Sequence, residues 1–437
     1  MAGSAAAVLA NAAAGVGDHL TIHRNQLAAL AGAIERVGQF DMPADSALSA
    51  FFREHADMGA HDRAFVSDGV FAYLRRKRSL DALAQTTRPR ALALAVAVRD
   101  FSHSVRELEP VINASDARWL AEFKGRMHNA LPPAVAADVP DWLWERLGDI
   151  DGADARASLT RAWQAPAPLD LRANIMKTTR DAALAALSAE GYAVAPTPYA
   201  PFGLRIDGRP ALVRHPWLVD GRLEVQDEGS QLIGLLVAPR RTDMVVDFCA
   251  GAGGKTLLLG AMMRSQGRLY AFDVAAKRLA RLTPRLARSG LSNVHPQVIG
   301  HERDQKVKRL AGKIDRVLVD APCTGFGTLR RNPDLKWRQS PPDVAELAAK
   351  QARILDAAAT LVKPGGRLVY ATCSVLPEEN DAIVDAFLAA HAGFTERDVA
   401  ALLAQACVPL DTGTRLRLRT DVHGCDGFFA AVLERKT

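Results

Sequence analysis

The chain has 437 residues, 49% of them hydrophobic, with 55 Lys and Arg against 49 Asp and Glu for a formal charge of +6. That length exceeds one ordinary domain, and that composition excludes a disordered or fibrous chain, so two or three packed domains are expected. The most apolar run, residues 91–98 between Arg90 and Arg99, is far short of the roughly 20 residues of a membrane span. Five cysteines with no C-x-x-C spacing fit neither a disulfide framework nor a zinc site and point to a reducing cytoplasm.

In chain order, the Ala-rich opening from Ala5 to Val16 is interrupted by Asn11 and lacks a basic residue before it. It reads as a flexible N-terminus over residues 1–18, not as a secretory signal. Residues 19–135 read as a helical domain, because Leu27, Leu30, Ile34 and Val37, and then Phe65, Val70, Phe71 and Leu74 after the cap-like Asp62, recur at helical spacing. Leu131-Pro-Pro133 and Pro140 break that pattern and open a linker and small α+β module over residues 136–225. A helix at 181–190 and extended pieces at 203–206 and 211–213 are expected there.

From residue 226 to 437, strands and helices alternate, as in a doubly wound α/β sheet. Strands are expected at 244–248, 269–272, 298–299, 317–319 and 368–370, followed by a half-exposed strand at 415–420 that pairs with 428–433 through a turn at Gly424 and Gly427. Ligands sit outside the carboxyl ends of such strands. That rule presents Asp320 and Cys323 after the fourth strand, and Cys373 after the fifth, to one site. Between the first strand and its helix stands Cys249-Ala-Gly-Ala-Gly-Gly-Lys255, small residues that let backbone approach a ligand. A phosphate-binding loop fails there, because it requires glycine where Cys249 stands. The dinucleotide fingerprint fails on glycine spacing. With Asp273 ending the second strand, where a carboxylate can accept from ribose hydroxyls, the loop suits S-adenosylmethionine or an NAD-like ligand, and spacing alone does not choose between them. Asp247 reads as either a cofactor contact or a helix cap.

Basic residues cluster at Arg75–Arg78, at Lys306, Lys308, Arg309 and Lys313, and at Arg330, Arg331, Lys336 and Arg338 around Trp337. The first two read as solvated helix faces. The third follows Cys323 and adds Asn332 and an aromatic, as a surface for single-stranded RNA would; for Trp337 itself, binding and packing are equally open. Cys249, Cys407 and Cys425 read as small buried hydrophobes.

Taken together, Cys249-Ala-Gly-Ala-Gly-Gly-Lys255, Asp273 with Arg278, Asp320-Ala-Pro-Cys-Thr-Gly325, Arg331-Asn-Pro-Asp-Leu-Lys-Trp337 and Ala371-Thr-Cys-Ser-Val-Leu-Pro-Glu-Glu-Asn380 resemble the Nol1/Nop2/Sun family of RNA cytosine-C5 methyltransferases, in its bacterial Sun/RsmB-like branch. Asp62-Arg-Ala-Phe-Val66 and residues 70–75 look like the NusB-type RNA-binding domain of that branch. The resemblance implies a Rossmann-like class I methyltransferase domain with a seven-stranded sheet. It implies S-adenosylmethionine held by Cys249, Ala250, Gly251, Ala252, Gly253, Gly254, Lys255, Asp273, Arg278 and Asp320. It also implies Cys373 as the nucleophile that adds to cytosine carbon 6, Cys323 as the thiol that assists carbon-5 proton removal and release, Asp320 as the holder of the base, and Lys255 as the cation favouring the thiolate. The expected partner is RNA, 16S rRNA ahead of tRNA, and the expected state is a cytoplasmic monomer. A catalytically weak ribosome-assembly factor is the alternative. Gly251-Ala252 stand where the family has Ala-Pro, which loosens the loop. Gly300-His301 stand where it has Gly-Asp, so an adenine contact is not carried over.

Overall fold

The structure, a computed structural model, describes residues 21–148, 152–208 and 210–437; the stretch expected to be flexible at 1–18 lies outside them. The described chain divides into a helical unit, running up to Pro166 and taking in Gly208–Arg214 and Leu329–Arg338, and an α/β unit formed by the remainder. The helical unit therefore continues past the expected limit at residue 135.

Three helices, Arg24–Val37, Ala60–Ala84 and Pro89–Arg99, carry the core of the helical unit. Leu27, Leu30 and Ile34 of the first and Phe65, Val70 and Leu74 of the second are buried, as their spacing predicts. Gly69 permits close approach of these two, since a Cβ there would lie 2.6 Å from Leu30 Cδ1. Every residue from Ala91 to Val98 is buried, the expected fate of a helix that is apolar all round. Asp62 does not cap its helix; the cap position is Gly59, and Asp62 accepts from Gln26 Nε2 at 2.8 Å. No helix among the described residues is long and apolar enough to cross a membrane.

The segment Leu329–Arg338 corrects an expectation. Its basic residues were expected to face RNA, yet Arg330 and Lys336 are buried and the segment packs within the helical unit. Asp334 Oδ2 accepts from the Ala44 N–H at 3.1 Å, Lys336 Nζ donates to Arg75 O at 2.9 Å, and Trp337 Nε1 donates to Leu74 O at 2.8 Å. Arg75, from the first basic cluster, is buried too and donates to Arg330 O. Burial lowers the Lys336 ammonium from its usual range to about 7, only partly offset by the Asp138 carboxylate.

The α/β unit contains two sheets. The smaller is antiparallel, in the order β2-β3-β1-β4, from β1 (Leu169–Ala173), β2 (Val194–Pro196), β3 (Gly203–Ile206) and β4 (Leu223–Val225). Of these only β3 is plain in the sequence. β1 buries Asp170 and Arg172, charges that disguise a core strand; Asp170 is held by Arg205 Nε at 2.7 Å. The expected extended piece at 211–213 is not a strand and belongs to the helical unit.

The larger sheet consists of β5 (Met244–Asp247), β6 (Arg268–Asp273), β7 (Val294–Val298), β8 (Ile314–Asp320), β9 (Val362–Thr372), β10 (Phe394–Arg397), β11 (Leu416–Leu418) and β12 (Phe428–Arg435). Its order is β10-β12-β9-β8-β5-β6-β7, with β11 also on β12. The five strands from β9 to β7 are parallel, and β10, β11 and β12 are antiparallel. The sheet thus has the Rossmann-like methyltransferase form, with eight strands in place of seven because the short β11 adds itself to β12. β7 begins earlier than expected, at Val294, and carries Pro296. Proline is tolerated there because β7 is an edge strand.

Candidate active site

The chain passes outward from β5 through β6 to β7 and then returns to β8 on the other side of β5. That reversal opens a crevice beyond the carboxyl ends of β5 and β8, the usual ligand position in an open α/β sheet. Asp247 ends β5 and Asp320 ends β8. A pocket of about 210 Å³ lies here, walled by Cys249, Ala250, Gly251, Ala252, Gly254, Lys255, Arg278 and Asp320 from the expected set. Val225, Gln226, Ser230, Asp247 and Arg285 complete its lining.

The glycine loop is shaped by backbone that only glycine adopts without strain. Gly251 and Gly253 have φ of 55° and 84°, in the left-handed region. A Cβ on Gly253 would lie 2.2 Å from Leu282 Cδ1, and one on Gly251 would lie 2.9 Å from Arg278 Nη2. Gly253 is also the N-cap of helix Gly254–Met262, so Asp247 does not cap that helix. Asp247 Oδ2 accepts from Thr256 Oγ1 at 2.6 Å, while Oδ1 is buried without a hydrogen-bond partner. Burial, reinforced by Asp320 and Asp273 and opposed by Thr256 and Lys255, raises the Asp247 carboxyl to about 7. Asp273 stands behind the loop and accepts from Gly251 N–H at 2.8 Å and Ala275 N–H at 2.7 Å.

Residues of the small sheet hold the loop from below. Buried Arg172 donates to Gly254 O at 2.9 Å and to the Gln226 side chain, and burial lowers its guanidinium to about 10. Arg285 donates to Ala252 O at 2.7 Å while paired with Glu224 at 2.8 Å.

The two strand-end thiols meet. Asp320 of β8 lies level with Ala371 of the parallel strand β9, so the loops bearing Cys323 and Cys373 leave the sheet side by side. Their sulfurs are 3.3 Å apart. The hydrogen bond with Cys373, then burial, holds the Cys323 thiol well above its usual range. Next to them Lys255 Nζ donates to Asp320 Oδ2 at 2.8 Å and lies 5.2 Å from the centre of the Phe428 ring. Burial pulls the Lys255 ammonium down, but Asp320, then Cys373 and Asp247, outweigh it, and the net direction is up. Lys255 is therefore a fixed cation joining the glycine-loop pocket to the thiol pair.

The remaining expected residues separate. Cys249 lines the pocket, and burial pushes its thiol up; Cys425 is buried, but Cys407 is exposed, against expectation. His301 is exposed and accepts from the Arg303 N–H, while Asp304 caps helix Gln305–Lys308; neither lines the pocket. A larger cleft, about 420 Å³, is lined by Glu396, Thr412, Thr414, Arg415 and Arg417. Its Arg415 is paired with Asp381, Asp385 and Glu396, which leaves little charge for an anion.

Comparison with known proteins agrees with this geometry. Residues 234–434 match the family described as 16S rRNA methyltransferase RsmB/F, and residues 139–212 match the ferredoxin-like domain of RsmF/B-like methyltransferases. The probable ribosomal RNA small subunit methyltransferase B of Synechocystis is 30% identical over 433 residues, covering 91% of this chain and 97% of that one. The ribosomal RNA small subunit methyltransferase B of Sodalis glossinidius is 34% identical, covering 76% of this chain and 77% of that one. Among solved structures, PH0851 is 26% identical with a TM-score of 0.76, covering 95% of this chain and 100% of that one. NSun6 from Pyrococcus horikoshii with SFG, 19% identical with a TM-score of 0.59 over 68% of this chain and 98% of that one, shares the fold.

Proposed function

The chain belongs to the RsmB/F family of 16S rRNA methyltransferases, and from that premise we propose that it methylates carbon 5 of a cytosine in 16S rRNA, using S-adenosylmethionine and a covalent thiolate adduct. The observation that carries the reading is the pair of sulfurs 3.3 Å apart beside the Lys255–Asp320 ion pair. Methylation of an exocyclic amine or a ribose oxygen needs no second thiol. Carbon 5 of cytosine uses one thiol for addition, because it is a poor nucleophile until a group adds at carbon 6 and splits one difficult step into two, and a second can serve to remove the carbon-5 proton and release the adduct.

The pocket residues fit the cofactor. The left-handed glycines let Arg278 and Leu282 pack against the loop and fix its shape, and the unpartnered Asp247 Oδ1 is a buried acceptor suited to an ammonium group. Asp273 does not line the pocket; it holds the loop through the Gly251 N–H. S-adenosylmethionine, when bound, supplies an electrophilic methyl group. On the protein side, the Cys373 thiolate adds to carbon 6, with the fixed charge of Lys255 nearby. Asp320, whose Oδ2 is taken by Lys255, offers Oδ1 as acceptor to the exocyclic amine and to N3–H of the ring protonated there, the form that accepts the addition. Cys323 starts as the protonated member of the pair. Once Cys373 is a thioether it no longer opposes ionisation of its neighbour, so Cys323 gives its own proton to solvent and, as the thiolate, takes the proton from carbon 5. Loss of that proton expels Cys373 and restores the aromatic base.

The test uses purified protein, labelled S-adenosylmethionine, and separate pools of 16S rRNA, 23S rRNA and tRNA lacking native modifications, with bisulfite sequencing of the labelled pool. One protected cytosine in 16S rRNA is expected. Label confined to tRNA would change the substrate, and cofactor binding with no label in any pool would favour an assembly factor.

A further inference from the structure

Beside the thiol pair stands a fully buried carboxylate that the proposed chemistry does not use. Glu379 ends the short turn Pro377–Glu379 and is 0% exposed. Its Oε1 accepts from Thr324 N–H at 2.8 Å and from Gln351 Nε2 at 2.9 Å. Its Oε2 accepts from Thr324 Oγ1 at 2.6 Å and from the Ser374 hydroxyl. Thr324 directly follows Cys323, and Ser374 directly follows Cys373. A single carboxylate thus grips the residue after each thiol.

The surrounding bonds brace the same two loops. Gln351, on helix Pro341–Ala359, also donates to Pro322 O, just before Cys323, at 2.9 Å. Asn380 holds both sides of Cys373, donating to Ser374 O at 3.0 Å and accepting from Thr372 Oγ1 at 2.5 Å. The loops are also tied directly, Gly327 N–H to Cys373 O at 2.8 Å. Among these groups only Glu379 reaches both loops with charge-assisted bonds, which are shorter and about twice as strong as neutral ones. A buried carboxylate is costly unless every lone pair is used, and here four donors use them. An apolar residue would fill the volume without that cost, so the carboxylate is retained for what it orients.

We infer that Glu379 is a positioning residue that sets Cys323 against Cys373, so that proton removal and release keep pace with methyl transfer; this deepens the proposed function and rests on it. Misplacing one reacting group by about 1 Å costs roughly a hundredfold in rate. Loosening the clamp acts on Cys323 first, because Thr324 gives both its N–H and its hydroxyl to Glu379, while the flanks of Cys373 keep Asn380.

The test is Glu379→Gln, which keeps the volume but replaces one acceptor oxygen by an NH2 donor that faces donors. The readout is the amount of RNA–protein adduct that survives denaturing electrophoresis, divided by methyl groups transferred. Because it is a ratio, loss of folded protein does not move it. It should rise at least about tenfold, while S-adenosylmethionine affinity by calorimetry stays within about twofold, since Glu379 does not line the pocket. An unchanged ratio, with both quantities falling together, would overturn the inference and leave Glu379 a structural residue. If Glu379→Gln does not fold, Ser374→Ala and Thr324→Val each remove one bond to Glu379 and should raise the ratio about threefold; no rise in either overturns it equally. Wild-type protein that forms no 5-methylcytosine would fail the reading of function instead. In that event the iodoacetamide alkylation rate of Cys323 relative to Cys373 still decides whether Glu379 sets the pair, being several-fold changed in Glu379→Gln if it does and unchanged if it does not.

Discussion

At the scale of single residues, the proposed mechanism gives the two thiols different work, so they should fail differently. Cys373→Ala removes the nucleophile, so methylation should fall by at least about a thousandfold and no adduct should form; retained turnover would exclude covalent addition. Cys323→Ala leaves addition and methyl transfer possible but removes the proton acceptor, so a stable RNA–protein adduct should persist on a denaturing gel. An adduct that clears as fast as in the wild type would reassign that thiol. Both cysteines, Asp320 and Lys255 were legible in the sequence, because their chemistry lies in contiguous strand-end motifs. Arg172, Gln226, Ser230 and Arg285 were not: they come from other elements and reach the glycine loop only through folding. Glu379 was visible as part of a motif, but its grip on Thr324 and Ser374 is a tertiary fact.

At the scale of elements, the glycine loop and the segment Leu329–Arg338 give contrasting predictions. Gly253→Ala places a methyl group against Leu282 at a left-handed φ, which costs about 1–2 kcal/mol. S-adenosylmethionine affinity should drop about tenfold by calorimetry; unaltered affinity would detach this loop from the cofactor. In Leu329–Arg338 the key group is Lys336, facing Arg75, Arg76 and Asp138. Its folded value, about 7, lies below the ordinary 10.5, so below pH 7 the fold must carry a buried cation. As pH rises from 7 towards 10.5 the unfolded chain holds the extra proton and the wild type gains stability. Lys336→Met should therefore be more stable than the wild type by about 1–3 kcal/mol near pH 6, with the gap closing by pH 9 in urea titrations. A gap that widens with pH would contradict this burial. The sequence misdirected here because a run of cations around an indole looks the same whether it faces solvent or a bundle core. It was reliable where periodicity was strong, as in helix Arg24–Val37 and strand β8. It was weak for the three-residue strands β2 and β4 and for β7, whose polar and proline residues suit an edge.

At the scale of the whole molecule, the charge of +6 understates what a polyanion can reach, since among the described residues buried acids, Asp138, Asp170, Glu228 and Glu379 among them, outnumber buried bases such as Arg75, Arg172, Arg330 and Lys336. Lys277, Arg278 and Arg281, exposed along the helices after Asp273, are better placed to meet phosphates near the pocket. Affinity for 16S rRNA should fall on the order of tenfold or more between roughly 50 and 200 mM salt if several phosphates are contacted. A flat response by filter binding would move recognition away from backbone charge.

The place of Leu329–Arg338 within the helical unit also bears on how the protein is made. Lys336 bonds to Arg75 across 261 positions of sequence, so a bundle whose other helices are synthesised first lacks these partners until the chain has grown on the order of 170 residues past Pro166. At ribosomal speeds that delay is roughly ten seconds or more. Throughout it, the carbonyls of Leu74 and Arg75 and the N–H of Ala44 lack their final partners, and apolar surface meant for Trp337 stays open. Cutting the chain after residue 135 or 166 therefore yields a fragment without part of its own interior.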